Sequence, residues 1–250
     1  MFESTLPAGA PELIRASAFR RYVHDLGRSG EADTSSGRLS SLNPSLLQDL
    51  MRFEAGPLGA GLEVLDVLAA CVRHGRALAI HLQNGDRVVT LTVFPVERLV
   101  HCPLPMAKFL DGAIAELTVL HVEPAILRPP GHRERVLIGD PERYAPLGPL
   151  LWELALRGSR GELLPEIAGP LGYRIAPGVD LRGLKLGGSM AAAIFKLKRQ
   201  TTNLREIAEW TGFDRERAVR MLNGLYLQAG LIVSRSHPAA TNDGWFGGSR

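Results

Sequence analysis

The residues best suited to hold a metal or activate a nucleophile are seven histidines (His24, His74, His81, His101, His121, His132 and His237) and two cysteines, Cys71 and Cys102. A zinc-type site needs three or four such ligands converging, commonly supplied by short His-x-x-His or Cys-x-x-Cys pairs. The chain contains neither spacing. His81, His101 and His121 fall in runs that read as strands, where alternating faces could gather them beside Cys71 or Cys102. Hydrogen-bonded sheet histidines account for them more simply, and no metal is expected. No Gly-x-x-x-x-Gly-Lys-Ser/Thr loop exists, since Gly183 to Ser189 has its glycines and lysine in the wrong order. No Gly-x-Ser-x-Gly elbow occurs either. Asp33, Ser35 and Ser36 sit in a Gly/Ser-rich stretch that is a poor frame for a triad. Glu97 and Glu123 read as solvated strand-edge acids rather than an acid–base pair. The chain is therefore read as a non-enzyme without a cofactor.

The 250 residues allow one large domain or two small ones. With 45% hydrophobic and 22% charged residues, the chain can build a core and is not a disordered polyelectrolyte. Aromatics make up only 6%, lean for a protein that stacks bases or sugars. No run approaches the ~18 apolar residues of a membrane helix, so no membrane partner is expected. The start, Met1 to Pro7, lacks the basic and apolar regions of a secretory signal. Two cysteines cannot staple a disulfide scaffold, and a cytoplasmic location is expected. Charge is uneven. Residues 148–235 hold 13 Lys/Arg against 8 Asp/Glu, net +5, and the rest carries −2. Such asymmetry suits an anionic partner for the basic part.

Periodicity gives the elements. Residues 1–41 read as a mobile arm with one short helix at 13–23, and 237–250 as a tail. A short helix is expected at 43–53, then a break at Gly56-Pro57 and a helix carrying Leu62, Leu65, Leu68 and Val72, stopped by Gly75. The period then changes to two. Residues 77–83 and 87–94 flank Asn84-Gly85-Asp86, a strong hairpin signal. Strands at 98–102 and 116–122 and a helix at 106–111 follow. The fold class is thus α+β. A small antiparallel sheet with helices occupies 42–128, a linker runs over 129–146, and a helical domain fills 147–236.

The C-terminal third contains a repeat. Glu166-Ile167-Ala168-Gly169-Pro170-Leu171-Gly172-Tyr173 matches Glu206-Ile207-Ala208-Glu209-Trp210-Thr211-Gly212-Phe213 in the pattern Glu-Ile-Ala-x-x-x-Gly-aromatic. Apolar helices are expected before each, at 147–157 and 189–199. After the second copy, Asp214 can cap a helix with Val219, Leu222 and Leu225 on its buried stripe. Gly230 would end that helix, and Leu231-Ile232-Val233 would begin a strand. Residues 189–235 resemble a winged-helix (helix-turn-helix) module, and the first copy would make a degenerate tandem partner with a short third helix at 179–184.

The resemblance implies a third helix that reads the major groove. Arg215, Arg217, Arg220 and Asn223 are then candidates for base contacts, with Lys196, Lys198, Arg199 and Arg205 on phosphates. The wing would need a returning strand, and Gly244-Trp245-Phe246 offers one. Gly75 to Ile80, Asn84-Gly85-Asp86 and Arg98 to His101 are similar to a PATAN-type domain, which implies a protein-interaction module in a signalling protein. Two functions follow: a regulator that binds double-stranded DNA, or an adaptor whose winged helices dock a protein partner. A homodimer is compatible with either. A continuous basic face over the third helix would favour DNA.

Overall fold

The structure is a computed structural model that describes residues 13–28 and 63–241. The expected helix at 43–53, the Gly56-Pro57 break, Asp33 with Ser35 and Ser36, and the strand at Gly244-Trp245-Phe246 lie outside these residues. The described residues form a mixed α+β structure with eight α-helices, a five-stranded sheet and a two-stranded sheet. Among them no helix is long and apolar enough to cross a membrane. They divide into two compact units. The first holds 13–28, 76–113 and 117–145, and the second 63–75, 114–116 and 146–241.

In the first unit, β1 (Leu78–Asn84) and β2 (Arg87–Phe94) form the expected hairpin. Asn84 pairs with Arg87, so the central residues are Gly85 and Asp86. Only Gly85 has positive φ, at 61°, the pattern of a turn with glycine first. β3 (Leu99–His101), α3 (Met106–Leu110), β4 (Thr118–Pro124) and β5 (Tyr144–Pro146) follow, and the sheet order is β4-β1-β2-β3-β5. β1 pairs antiparallel with β2 and β4, and β2 with β3. One sheet face is wholly apolar, with Leu78, Ile80, Leu82, Val89, Leu91, Val93 and Val100 all at 0% exposure. The other carries His81, Thr90, Thr92, His101 and His121.

Two expectations change here. The first 41 residues are not all an arm. α1 (Ala16–Arg28) seats Ala16 and Phe19 against Val88 and Leu120. Its lead-in adds to β2 by hydrogen bonds from Val88 N to Ile14 O and from Ala16 N to Asp86 O, 2.8 and 2.9 Å. Leu120 reaches α1 because the β1–β4 register shifts there. His81 pairs with His121 and Leu82 with Val119, which leaves Leu120 as the extra residue of a bulge. Likewise 129–146 is more than a linker. Arg128 N donates to Leu137 O at 2.9 Å, and β5 closes the sheet.

The second unit contains α2 (Val64–His74), α4 (Leu147–Arg157), β6 (Gly172–Ile175), α5 (Gly188–Arg199), α6 (Leu204–Ala208), α7 (Arg215–Leu227), β7 (Leu231–Ser234) and α8 (Pro238–Thr241). α2 precedes the sheet in sequence yet packs in this unit. Arg160 Nη1 donates to Glu63 and Asp66 at its start (2.6 and 2.8 Å), and Arg73 near its end pairs with Glu166. Asn203 caps α6, and Asp214 caps α7 by accepting from Arg217 N at 2.7 Å. Gly212, at φ 77°, makes the turn between these two helices.

The second repeat copy begins in helix α6, which runs through Ala208, and the first copy contains no α-helix. Pro165–Ile167 is a single 3-10 turn, Gly172–Ile175 is strand β6, and 179–184 contains no helix. Pro170 lacks an N–H, and Gly169 sits at φ 111°, outside helical space, so Glu166 to Tyr173 cannot continue as a helix. The octamers share sequence without sharing structure. β6 instead pairs antiparallel with β7, and Tyr173 exchanges backbone bonds with Thr202 at 2.7 and 3.0 Å. Within the described residues, β7 finds its partner upstream rather than in the tail.

Candidate functional site

The residues expected at an interface divide into an inward-turned pair, Arg220 and Asn223, and an exposed group. α7 is capped as expected, but past its first turn almost every residue is enclosed. Ala218, Val219, Met221, Leu222, Asn223, Gly224, Leu225 and Leu227 are all buried. A helix enclosed on all sides is an interior element. α4 and the chain that follows it cover the side expected to face DNA. The Trp152 ring lies so close to Gly224 that an added Cβ would sit 2.7 Å from it.

Asn223 therefore does not stand on an exposed face. Its Oδ1 accepts from Leu164 N at 2.9 Å, and its Nδ2 donates to Glu162 O at 3.0 Å. An apolar side chain there would leave a buried N–H and a carbonyl unpaired, which explains the amide. Arg220 also points inward. Nη1 donates to Leu156 O and Gly158 O, both at 2.8 Å, and its side chain also pairs with Glu216. These carbonyls belong to the end of α4, where a cation satisfies otherwise orphaned acceptors. Gly224 was the available sequence signal, since a glycine inside a helix often marks a face pressed against a neighbour.

The remaining six cations are exposed. Arg215 lies 3.5 Å from Glu162, and Arg205 lies 3.5 Å from Glu209. Lys196, Arg199 and Arg217 sit against aromatic rings. Lys196 Nζ is 4.8 Å from the centre of Trp210, Trp210 meets Phe213 edge-on at 6.5 Å, and Arg217 lies 5.3 Å over Phe213. Beside this row, Arg199 lies 5.2 Å over Phe195, which is 59% exposed. α5, the α6–α7 turn and the first turn of α7 thus present alternating cations and rings. Each cation–ring contact contributes ~0.5–1 kcal/mol at such exposure and holds the side chain in place. Lys198 is exposed on α5 as well.

In the first unit the structure joins two of the three sheet histidines. His81 and His121 stack at 5.8 Å, while His101 meets Tyr144 edge-on at 5.0 Å. His81 is bracketed by Thr90 Oγ1 at 2.9 Å from Nδ1 and Glu123 Oε1 at 3.0 Å from Nε2. Glu123 is thus engaged with His81, and Glu97 is exposed in a turn. Burial lowers the pKa of His101, with Asp140 opposing and Arg143 assisting. Burial lowers that of His121 too, aided by His81 and opposed by Glu123. Cys102 is fully buried, which pushes its thiol up to about 11. Among the described residues, no group of three or more His, Cys, Asp or Glu could hold a metal ion.

The chain matches no protein-family model, no curated protein and no solved structure.

Proposed function

We propose that the chain is a regulatory interaction protein whose C-terminal unit docks a protein partner. On this reading α5, α6, α7 and β7 are a winged-helix-like arrangement, with β6 standing where a wing strand would return. The observation that carries the reading is the enclosure of α7, which leaves only its first turn for any groove and holds Arg220 and Asn223 inside. The exposed row Lys196, Trp210, Phe213 and Arg217, flanked by Phe195 and Arg199, supports an acidic segment that also carries an apolar anchor. Its cations complement carboxylates, and aromatic and Arg side chains are the types enriched at protein interfaces.

A second reading keeps duplex DNA as the partner. It is favoured by six exposed cations: Lys196, Lys198, Arg199, Arg205, Arg215 and Arg217. Fluorescence anisotropy separates the two. Each phosphate neutralised contributes about −0.9 to the slope of log affinity against log salt. Protein docking expects a shallow slope with random duplex, about −2 or less in magnitude. It also expects saturable binding of an acidic peptide carrying Phe, lost in Lys196→Glu/Arg217→Glu. A slope of about −4 or steeper, abolished by Arg215→Ala/Arg217→Ala, would move the conclusion to DNA.

A further inference from the structure

The outer face of the five-stranded sheet is not fully covered by α1. A cavity of about 230 Å³ remains between the lead-in to α1, the face of β2, and the chain around His101 and Leu127. Ile14, Phe19, Val88 and Leu127 give it apolar walls, and His81, Thr90, Thr92 and His101 are its polar lining residues. No Asp, Glu, Lys or Arg lines it. For scale, an apolar cavity of about 150 Å³ admits benzene.

The hydrogen-bond sense of the cavity follows from His81. With the His81 imidazole neutral, its Nε2–H donates to the Glu123 carboxylate and Nδ1 is left as an acceptor. In that tautomer the Thr90 hydroxyl donates to Nδ1, and its lone pairs remain to accept from an occupant. His101 is held in place beside this space. Tyr144 contacts its ring edge-on, and an added Cβ at Gly139 would fall 2.7 Å from His101 Nε2. Tyr144 is itself fixed, donating to Arg128 O at 2.7 Å and accepting from Gly139 N at 2.9 Å. His101 is thus fixed on one side of the space, as a pre-formed small-molecule site requires.

We propose that this cavity is a binding site for a small uncharged aromatic molecule bearing one hydrogen-bond donor, of the size of phenol or indole, with Thr90 Oγ1 as the acceptor. The site is independent of the docking surface of the other unit and would make the first unit a ligand-sensing module.

The test is titration of the intact chain with phenol, indole, toluene, benzoate and benzylamine, followed by the ring-proton shifts of His81 and His101 in NMR. Saturable shifts at both histidines with phenol or indole, at least about fivefold tighter than with toluene, are expected, since one net hydrogen bond is worth about that factor. Thr90→Val should erase the preference over toluene, and Thr90→Ser should keep it. If Thr90→Val fails to fold, Leu127→Trp serves instead by filling the cavity and abolishing binding of every probe. The proposal is overturned if no probe saturates, if toluene binds as well as phenol, or if benzoate or benzylammonium binds equally well.

Discussion

Asn223 and Arg217 lie on one helix and were both expected to contact DNA, yet the structure gives them opposite circumstances. Asn223→Ala removes the partners of Leu164 N and Glu162 O inside the second unit. A loss of ~1–3 kcal/mol is expected in urea unfolding. Arg217→Ala is expected to cost no more than about 1 kcal/mol, because that side chain is exposed and loses only its contact with Phe213. Titration supplies a second test. His101 and His121 have pKa values depressed below the ordinary histidine value of 6.5. A depressed histidine resists protonation when folded, so the unfolded state takes up the proton first. Stability is fully present above about pH 6.5 and declines as pH falls through the folded values. Thermal melts from pH 7 to about 5 should show that decline, and His121→Gln should flatten it. Cys102 has its thiol raised to about 11 and is fully buried, and Cys71 is buried too. Neither should react with a thiol reagent near pH 8 until denaturant is added, and rapid native labelling would contradict the core packing.

At the scale of elements, α7 yields two substitutions of opposite sign. Gly224→Ala gains helix propensity, about 1 kcal/mol, but drives a methyl into the buried Trp152 ring. A net lowering of the melting temperature is expected. At the far end of α7, Ala229 rather than Gly230 takes the left-handed conformation, at φ 53°, and it is exposed. Ala229→Gly should therefore stabilise by about 1 kcal/mol. Gly230 has another role, since a Cβ there would fall 2.6 Å from Val179 Cγ2. From sequence, Gly230 was expected to end α7 and Gly224 was not singled out, since sequence cannot say which glycines bend the chain and which admit a neighbour. The same limit applies to α1. Its helical periodicity was legible at 13–23, while its docking depends on the Leu120 bulge, which only strand pairing creates. Phe19→Ala should raise amide exchange through α1 and leave the β1–β2 core protected.

For the whole molecule, the two units are interleaved along the chain. α2 lies before the sheet and belongs with α4 to α8. A fragment beginning at residue 147, the boundary expected from sequence, would lack α2 and leave Arg160 without Glu63 and Asp66. Such a fragment should lose the sharp thermal transition of the intact chain in circular dichroism. What the sequence determined by itself was local. The Asn-Gly hairpin, the Asp214 cap and the Gly75 stop act over a few residues and appear where expected, whereas the short helix expected at 179–184 does not form. Tertiary structure decided the rest. It paired β6 with β7, enclosed α7, turned Asn223 and Arg220 inward, and opened a cavity beside Thr90. The physical reason is that these outcomes depend on which distant segment covers a surface. A helix with one apolar stripe and scattered polar residues reads the same whether water or α4 lies against its other side.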